Sequence, residues 1–284
     1  MKKIIAVALA LVMTAALCAC GSAAAGEETG AEKLTVAVSP DFAPMEFVDT
    51  SKSGQEQYVG FDIMLAQFIA DEMGMELEIK PMSFDACQAA VQSGKVTMSI
   101  SGYSYTPERA ENYNLSDYYY AGDNETEQTI IVKADKAGKF ATAEDFAGLT
   151  VGAQTASLQM SLCQSKLPES VKVKEFGDIG TAVEALRAGN IDALAVAKGN
   201  GEAITANNDN LGFSGFMFEI SEEAENNVIL MKKGDDELLA KVNEILAKAY
   251  ENGYYGEWYA QAQQMAGIET AADVSYDDEG NVAE

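Results

Sequence analysis

Residues 99–109 read Ser99-Ile100-Ser101-Gly102-Tyr103-Ser104-Tyr105-Thr106-Pro107-Glu108-Arg109. The run leaves a short apolar strand, turns at Gly102 and offers the hydroxyls of Ser101 and Ser104. Thr106 is a good N-cap and Pro107 suits the first helical position, so a helix is expected to start here with Arg109 in its opening turn. Helix N-termini favour anions, so a guanidinium there has no obvious intrahelical task. An external carboxylate would satisfy both its fork and the backbone N–H groups beside it. Two explanations stand open at this point: a small-anion clamp, or an arginine paired on the surface with one of the chain's 45 acidic residues.

Outward from this run, apolar strands alternate with helical periodicity. Strands are expected at 34–38, 76–80 and 97–100, with helices at 61–73, stopped by Gly74, and 84–92, stopped by Ser93-Gly94. After a polar break at 123–128 and a strand at 129–132 the alternation restarts. Strands follow at 150–153, 171–175 and 193–196, and helices at 157–163, 179–188 and 198–206. A second polar run at 221–227 leads into a strand at 228–231 and two helices, 235–252 and 254–265. Such alternation implies βαβ units on parallel or mostly parallel sheets. Two polar breaks, each entering a strand, imply two lobes joined by two crossings: lobe one from 34–125 and 227–266, lobe two from 126–226. Leu238, Val242, Ile245, Leu246 and Ala249 recur at helical spacing and are expected to pack on lobe one. Asp62 reads most simply as an N-cap.

The ends read as non-globular. Lys2 and Lys3 precede an apolar run at 4–17, too short for a membrane span, so 1–19 reads as an export signal. Its close, Leu17-Cys18-Ala19-Cys20-Gly21-Ser22, resembles a bacterial lipobox with Cys20 as the lipidated, palmitate-bearing residue; Cys18 departs from the usual pattern. Residues 20–33 form a tether, and 267–284 an acidic tail expected to be disordered. The formal net charge of −26 argues against nucleic acid or anionic lipid headgroups as partners. The chain has no histidine, which excludes Ser-His and Cys-His hydrolases and, with no cysteine pair at ligand spacing, argues against a zinc site. No cofactor or metal is expected. Beyond the leader, Cys87 and Cys163 read as two buried thiols rather than a disulfide.

Several short motifs, in order, extend the picture: Ala43-Pro44-Met45-Glu46-Phe47, Val59-Gly60-Phe61-Asp62-Ile63, Ser83-Phe84-Asp85, Thr106-Pro107-Glu108-Arg109, Leu115-Ser116-Asp117-Tyr118-Tyr119, Val151-Gly152-Ala153-Gln154 and Gly189-Asn190-Ile191-Asp192-Ala193. With them, residues 34 to about 267 resemble the solute-binding proteins of polar amino acid ABC importers. The resemblance implies an α/β, two-lobed type II periplasmic-binding-protein fold, with a two-strand hinge and a ligand cleft between the lobes. It implies that Arg109 holds a ligand carboxylate and that Ser104 reaches the carboxylate and ammonium. The carbonyl of Gly102 would accept from the ammonium, and Ser157 and Leu158 would add backbone N–H groups. Phe42 and Phe84 would sandwich the ligand side chain. The expected protein is a monomeric lipoprotein on the outer face of the cell membrane. It would capture an amino acid or a closely related small carboxylate and deliver it to an ABC permease.

One departure bears on the ligand. Where such proteins usually place an ammonium-binding Asp after the Ile191-Asp192-Ala193 strand, this chain has Ala197. Asp41 or Glu202 could supply the charge, the ligand could lack an α-amino group, or the correspondence could slip by a few residues around Gly199-Asn200-Gly201. Two other function classes stand beside the receptor. One is a dehydratase resembling the prephenate and arogenate group, which would need a cleft carboxyl as general acid. The other is a ligand-sensing component acting through a separate membrane partner.

Overall fold

A glycine and two backbone carbonyls set the start of the first helix. Gly60 has φ +121°, and a Cβ there would lie 2.3 Å from the Met45 carbonyl oxygen. That close approach lets the N–H groups of Phe61 and Asp62 donate to the Pro44 and Met45 carbonyls at 3.1 and 2.8 Å. Helix α1 (Phe61–Met73) therefore starts without a side-chain cap and ends on left-handed Gly74. Asp62 is not the N-cap that the sequence suggested: Gly60 holds that place, and the Asp62 side chain is buried.

The computed structural model describes residues 32–119 and 127–268. The leader, Cys20, the tether up to residue 31, residues 123–126 of the first polar break and the tail from 269 lie outside the described residues. Along the chain, β1 (Lys33–Val38) precedes a small sheet of β2 (Asp41–Phe42), β3 (Glu46–Val48) and β4 (Tyr58–Val59). After α1 come β5 (Glu76–Pro81), α2 (Phe84–Ser93), β6 (Met98–Ser99), α3 (Pro107–Asn112) and β7 (Tyr113–Leu115). The next stretch holds β8 (Gln128–Lys133), β9 (Thr150–Gln154), α4 (Leu158–Lys166) and β10 (Lys172–Phe176). It continues through α5 (Ile179–Ala188), β11 (Ala193–Ala197), α6 (Lys198–Ala206) and β12 (Leu211–Phe218). The chain returns in β13 (Leu230–Lys232), followed by α7 (Asp236–Glu251) and α8 (Tyr254–Met265).

Two five-stranded sheets result, ordered β5-β1-β6-β13-β7 and β10-β9-β11-β8-β12. Alternate residues of β1 face opposite ways: Leu34, Val36 and Val38 pack with α1, α7 and α8, while Ala37 packs with α2. In β8, Ile130 and Val132 face one cluster and Ile131 the other. Both faces of each sheet are thus covered, which is why these strands read as near-continuous apolar runs. The residues of α7 picked by their spacing do pack on the first sheet's core.

The sheets, expected to be parallel or mostly parallel, are mixed. β13 is antiparallel to β6 and β7, and β8 is antiparallel to β11 and β12. These partners are not joined by βαβ crossovers, so nothing forces them parallel. β12 escaped the sequence reading because its register shifts between Phe213 and Met217, which breaks the period of two. The return crossing is bonded to the segment quoted at the outset: Tyr105 N–H donates to the Asn226 carbonyl at 2.9 Å and Val228 N–H to that of Tyr103 at 2.8 Å. Asn227 bridges Ser104 and Tyr119. Cys87 and Cys163 are free, buried thiols. Among the described residues no helix is long and apolar enough to cross a membrane.

Candidate functional site

The quoted run folds as its residue types dictate. Thr106 caps α3, its hydroxyl accepting the Arg109 N–H at 3.1 Å, and Pro107 is the first helical residue. Arg109 is 6 % exposed. Its Nη1 donates to the Ser104 carbonyl at 2.6 Å, and its Cζ lies 5.3 and 5.7 Å from the ring centres of Tyr103 and Phe84. Among the described residues no carboxylate forms an ion pair with it. The surface salt bridge that the composition allowed is therefore not formed among the described residues. Burial in this setting draws the guanidinium pKa down.

Gly102 is required where it stands. Its φ is +54°, and a Cβ would meet the Phe42 ring at 2.7 Å. The flanking Ser101 is buried, accepts the Ser39 N–H at 3.0 Å and donates to the Glu46 carboxyl.

The second sheet supplies the facing wall. β9 ends at Gln154, and α4 begins after Ser157, whose hydroxyl accepts the Met160 N–H at 3.1 Å. The Ser157 N–H donates within the turn to Gln154 at 3.2 Å. Of the two backbone donors expected here, only that of Leu158 lacks an acceptor among the described residues. Just before them Ala156 has φ +61°, the sole positive value at a non-glycine among the described residues. Its carbonyl accepts from Arg109 Nη2 at 3.1 Å and from Gln88 Nε2 at 3.4 Å. The left-handed turn thus aims a second-sheet carbonyl at the arginine of the first.

Between these walls lies a narrow cavity of about 20 Å³. Phe42, Phe84, Gly102, Ser104 and Arg109 line it from one side and Ser157 and Leu158 from the other, so the structure gathers all seven sequence-selected residues. Ser101, Gln154 and Gln159 complete the lining and were not selected. The Val-Gly-Ala-Gln run marks Gln154 as a strand end, and only the packing of the sheets shows that the end faces the cleft. A wider, more open groove shares Arg109, Ser157 and Leu158 with this cavity and extends along Thr106, Asn112 and Ser161, but neither Phe42 nor Phe84 reaches it.

The acids proposed as ammonium partners lie elsewhere. Asp41 accepts from Ser39 Oγ at 2.9 Å, Gln154 Nε2 at 3.2 Å and the Ile179 N–H at 2.6 Å, the last two across the cleft. Burial pushes its pKa up, against the opposing pull of these bonds. Neither Asp41 nor Glu202 lines the cavity. Ala197 ends β11 and is buried, Lys198 pairs with Glu127, and Asn200 Nδ2 donates across the cleft to the Ala43 carbonyl at 3.0 Å.

Known proteins share this architecture. The chain is 32% identical over 254 residues to the arginine-binding extracellular protein ArtP of Bacillus subtilis (strain 168), covering 89% of this chain and 94% of that one. A Streptococcus pneumoniae amino acid ABC transporter substrate-binding protein, AbpA, bound to L-arginine, superposes with a TM-score of 0.76. It is 34% identical, over 84% of this chain and 97% of its own. An ancestral arginine-binding protein bound to glutamine gives a TM-score of 0.71 at 31% identity, over 81% and 96%. The family model of the bacterial extracellular solute-binding proteins, family 3, matches residues 34–263, and the chain belongs to that family.

Proposed function

We propose that this protein is the ligand-capturing component of an ABC importer, closing its two lobes around an L-α-amino acid and presenting it to the permease. The observation that carries this reading is Arg109: a buried guanidinium with no carboxylate partner among the described residues, lining the cavity together with the Leu158 N–H, which has no acceptor among them. A ligand carboxylate supplies what both lack. The Gly102 carbonyl and Ser104 stand on the ammonium side, with Gln154 and Gln159 as neutral polar neighbours in place of the missing acid at Ala197. Phe42 and Phe84 form walls suited to a long side chain, including a flat cation. Arginine is the first candidate ligand, because all three compared proteins are named for arginine binding or hold L-arginine and a net charge of −26 attracts cations. Lipidation at Cys20 would tether the protein as a monomer on the outer face of the membrane.

The experiment is a thermal-shift screen across the L-amino acids, small dicarboxylates and aromatic acids, followed by calorimetry on the hits with wild type and Arg109→Ala. A stabilising amino acid whose binding Arg109→Ala abolishes supports the reading. Stabilisation only by acids without an α-amino group, or an unchanged affinity in Arg109→Ala, refutes it. Release of Cys20→Ser protein into the medium tests the anchor.

A further inference from the structure

Behind the clamp two carboxyl groups meet. Glu46 of β3 and Asp62 of α1 are both completely buried. Glu46 Oε1 accepts the Ser101 hydroxyl, while Asp62 Oδ2 accepts the Gly102 N–H at 2.8 Å and the Tyr119 hydroxyl at 3.2 Å. The remaining oxygens, Glu46 Oε2 and Asp62 Oδ1, receive no donor among the described residues, and the two carboxyls hold the adjacent residues Ser101 and Gly102 and act directly on one another. Two ionised carboxylates so placed would be desolvated and would repel one another. Their surroundings offer no relief. Asp41 adds negative charge, Tyr103 and Tyr119 bring phenols, and Tyr255 and Tyr259 of α8 bring phenols around the neighbouring Phe61 ring. Among the described residues no lysine or arginine acts on either carboxyl.

We propose that Glu46 and Asp62 share one proton, Glu46 Oε2–H donating to Asp62 Oδ1, and that this acid–carboxylate pair is the positioning element that fixes Ser101 and Gly102 at the cavity wall. A single proton converts two repelling acceptors into a donor and an acceptor. It leaves one charge for the Gly102 N–H and the Tyr119 O–H to stabilise. The pair acts on the ligand only through the two residues it holds, both of which line the cavity. That link rests on the amino-acid reading above; the shared proton does not.

The direction of the pH effect follows from burial. Desolvation first, then the nearby Asp62, holds Glu46 well above the usual carboxylate range, and desolvation raises Asp62 to about 6. Both folded-state values exceed the unfolded ones, so folding takes up protons. The stability this confers is complete below the unfolded values of 4.5 and 3.8 and is lost as pH rises through the folded ones.

The first arm of the test uses the full chain without ligand. Denaturant midpoints of wild type and Glu46→Gln are followed from about pH 4.5 to 8, the Gln amide standing in for the shared proton. The wild-type midpoint is expected to fall between pH 6 and 8 while that of Glu46→Gln stays flat. Curves that run parallel overturn the shared proton. Infrared spectra of wild type near pD 7, with carboxyl-labelled glutamate, give a second measure: a protonated-carboxyl band that shifts with the label is expected, and its absence overturns the proposal. The second arm measures the Kd of L-arginine by calorimetry. Asp62→Ala is expected to weaken it about tenfold or more and Glu46→Gln by less than about threefold. An Asp62→Ala protein with wild-type affinity overturns the positioning role. If wild type binds no L-arginine, the choice of ligand fails while the ligand-free curves still decide the proton.

Discussion

The carboxylate of Asp41 accepts the N–H of Ile179 at 2.6 Å, so a residue just beyond the first strand of one sheet caps a helix that packs on the other. Opening the cleft has to break this bond, the Gln154 bond to the same carboxylate and the Asn200 bond to Ala43. Asp41→Ala is therefore expected to speed ligand dissociation about tenfold or more, the equivalent of a lost hydrogen bond to a charged group, with a smaller change in association rate. Stopped-flow displacement checks it. An unchanged dissociation rate would remove Asp41 from the closed state's supports.

Arg109 separates charge from shape. Arg109→Ala is expected to cost about 3–5 kcal/mol of ligand affinity, as for the removal of one partner of a buried pair. Arg109→Lys keeps the charge but loses the fork that reaches Ser104 and Ala156 together, and should fall between wild type and Arg109→Ala. Calorimetry on the three proteins orders them. A Lys variant equal to wild type would mean that only charge matters here.

Gly102→Ala places a Cβ against the Phe42 ring in a left-handed backbone conformation. Strain and displacement of the ring together should lower stability by about 1–3 kcal/mol and weaken ligand binding as the aromatic wall moves. Denaturant melts and calorimetry read the two effects. Unaltered values in both would show that Phe42 yields without consequence.

Ligand saturation gives a prediction that involves no mutation. A ligand at a hundred times its Kd stabilises the protein by about 2.7 kcal/mol, which for a chain of this size is a rise in Tm of about 5–10 °C. Differential scanning calorimetry across a concentration series checks that the rise follows the logarithm of concentration.

Cys87 and Cys163 are both buried, and burial pushes each thiol up to about 12. Neither should react with a thiol reagent in the native protein at neutral pH, and both should react after denaturation. Timed labelling with mass detection decides it. Fast native labelling of either would place it nearer solvent.

Much of the fold was legible because its signals are local. The helices 61–73, 179–188, 198–206 and 254–265 have the bounds their periodicity and stop residues give, since capping and side-chain spacing act within a few residues. Strand direction was not legible in the same way. The alternation suggested parallel or mostly parallel sheets but not that β8 and β13 run antiparallel to their neighbours, because pairing is chosen by distant segments. Asp62 shows the same limit at one residue. Its place after Gly60-Phe61 suits a cap, but backbone carbonyls from residues 44 and 45 take that role and leave the carboxylate to bond Gly102 forty positions away.

Local chemistry alone sets the backbone around Arg109: Thr106-Pro107 starts a helix, the helix brings Arg109 into its first turn, and Gly102 allows the turn before it. These are short-range steric and capping effects that need no partner. It takes the packed chain to show that no carboxylate among the described residues forms an ion pair with Arg109, that the Ala156 carbonyl reaches it from across the cleft, and that Asp41 is spent across the cleft rather than on the cavity. Those outcomes depend on which of 45 acidic residues come close to one guanidinium. Burial and distance set electrostatic interactions, and both are properties of the packed chain rather than of its order.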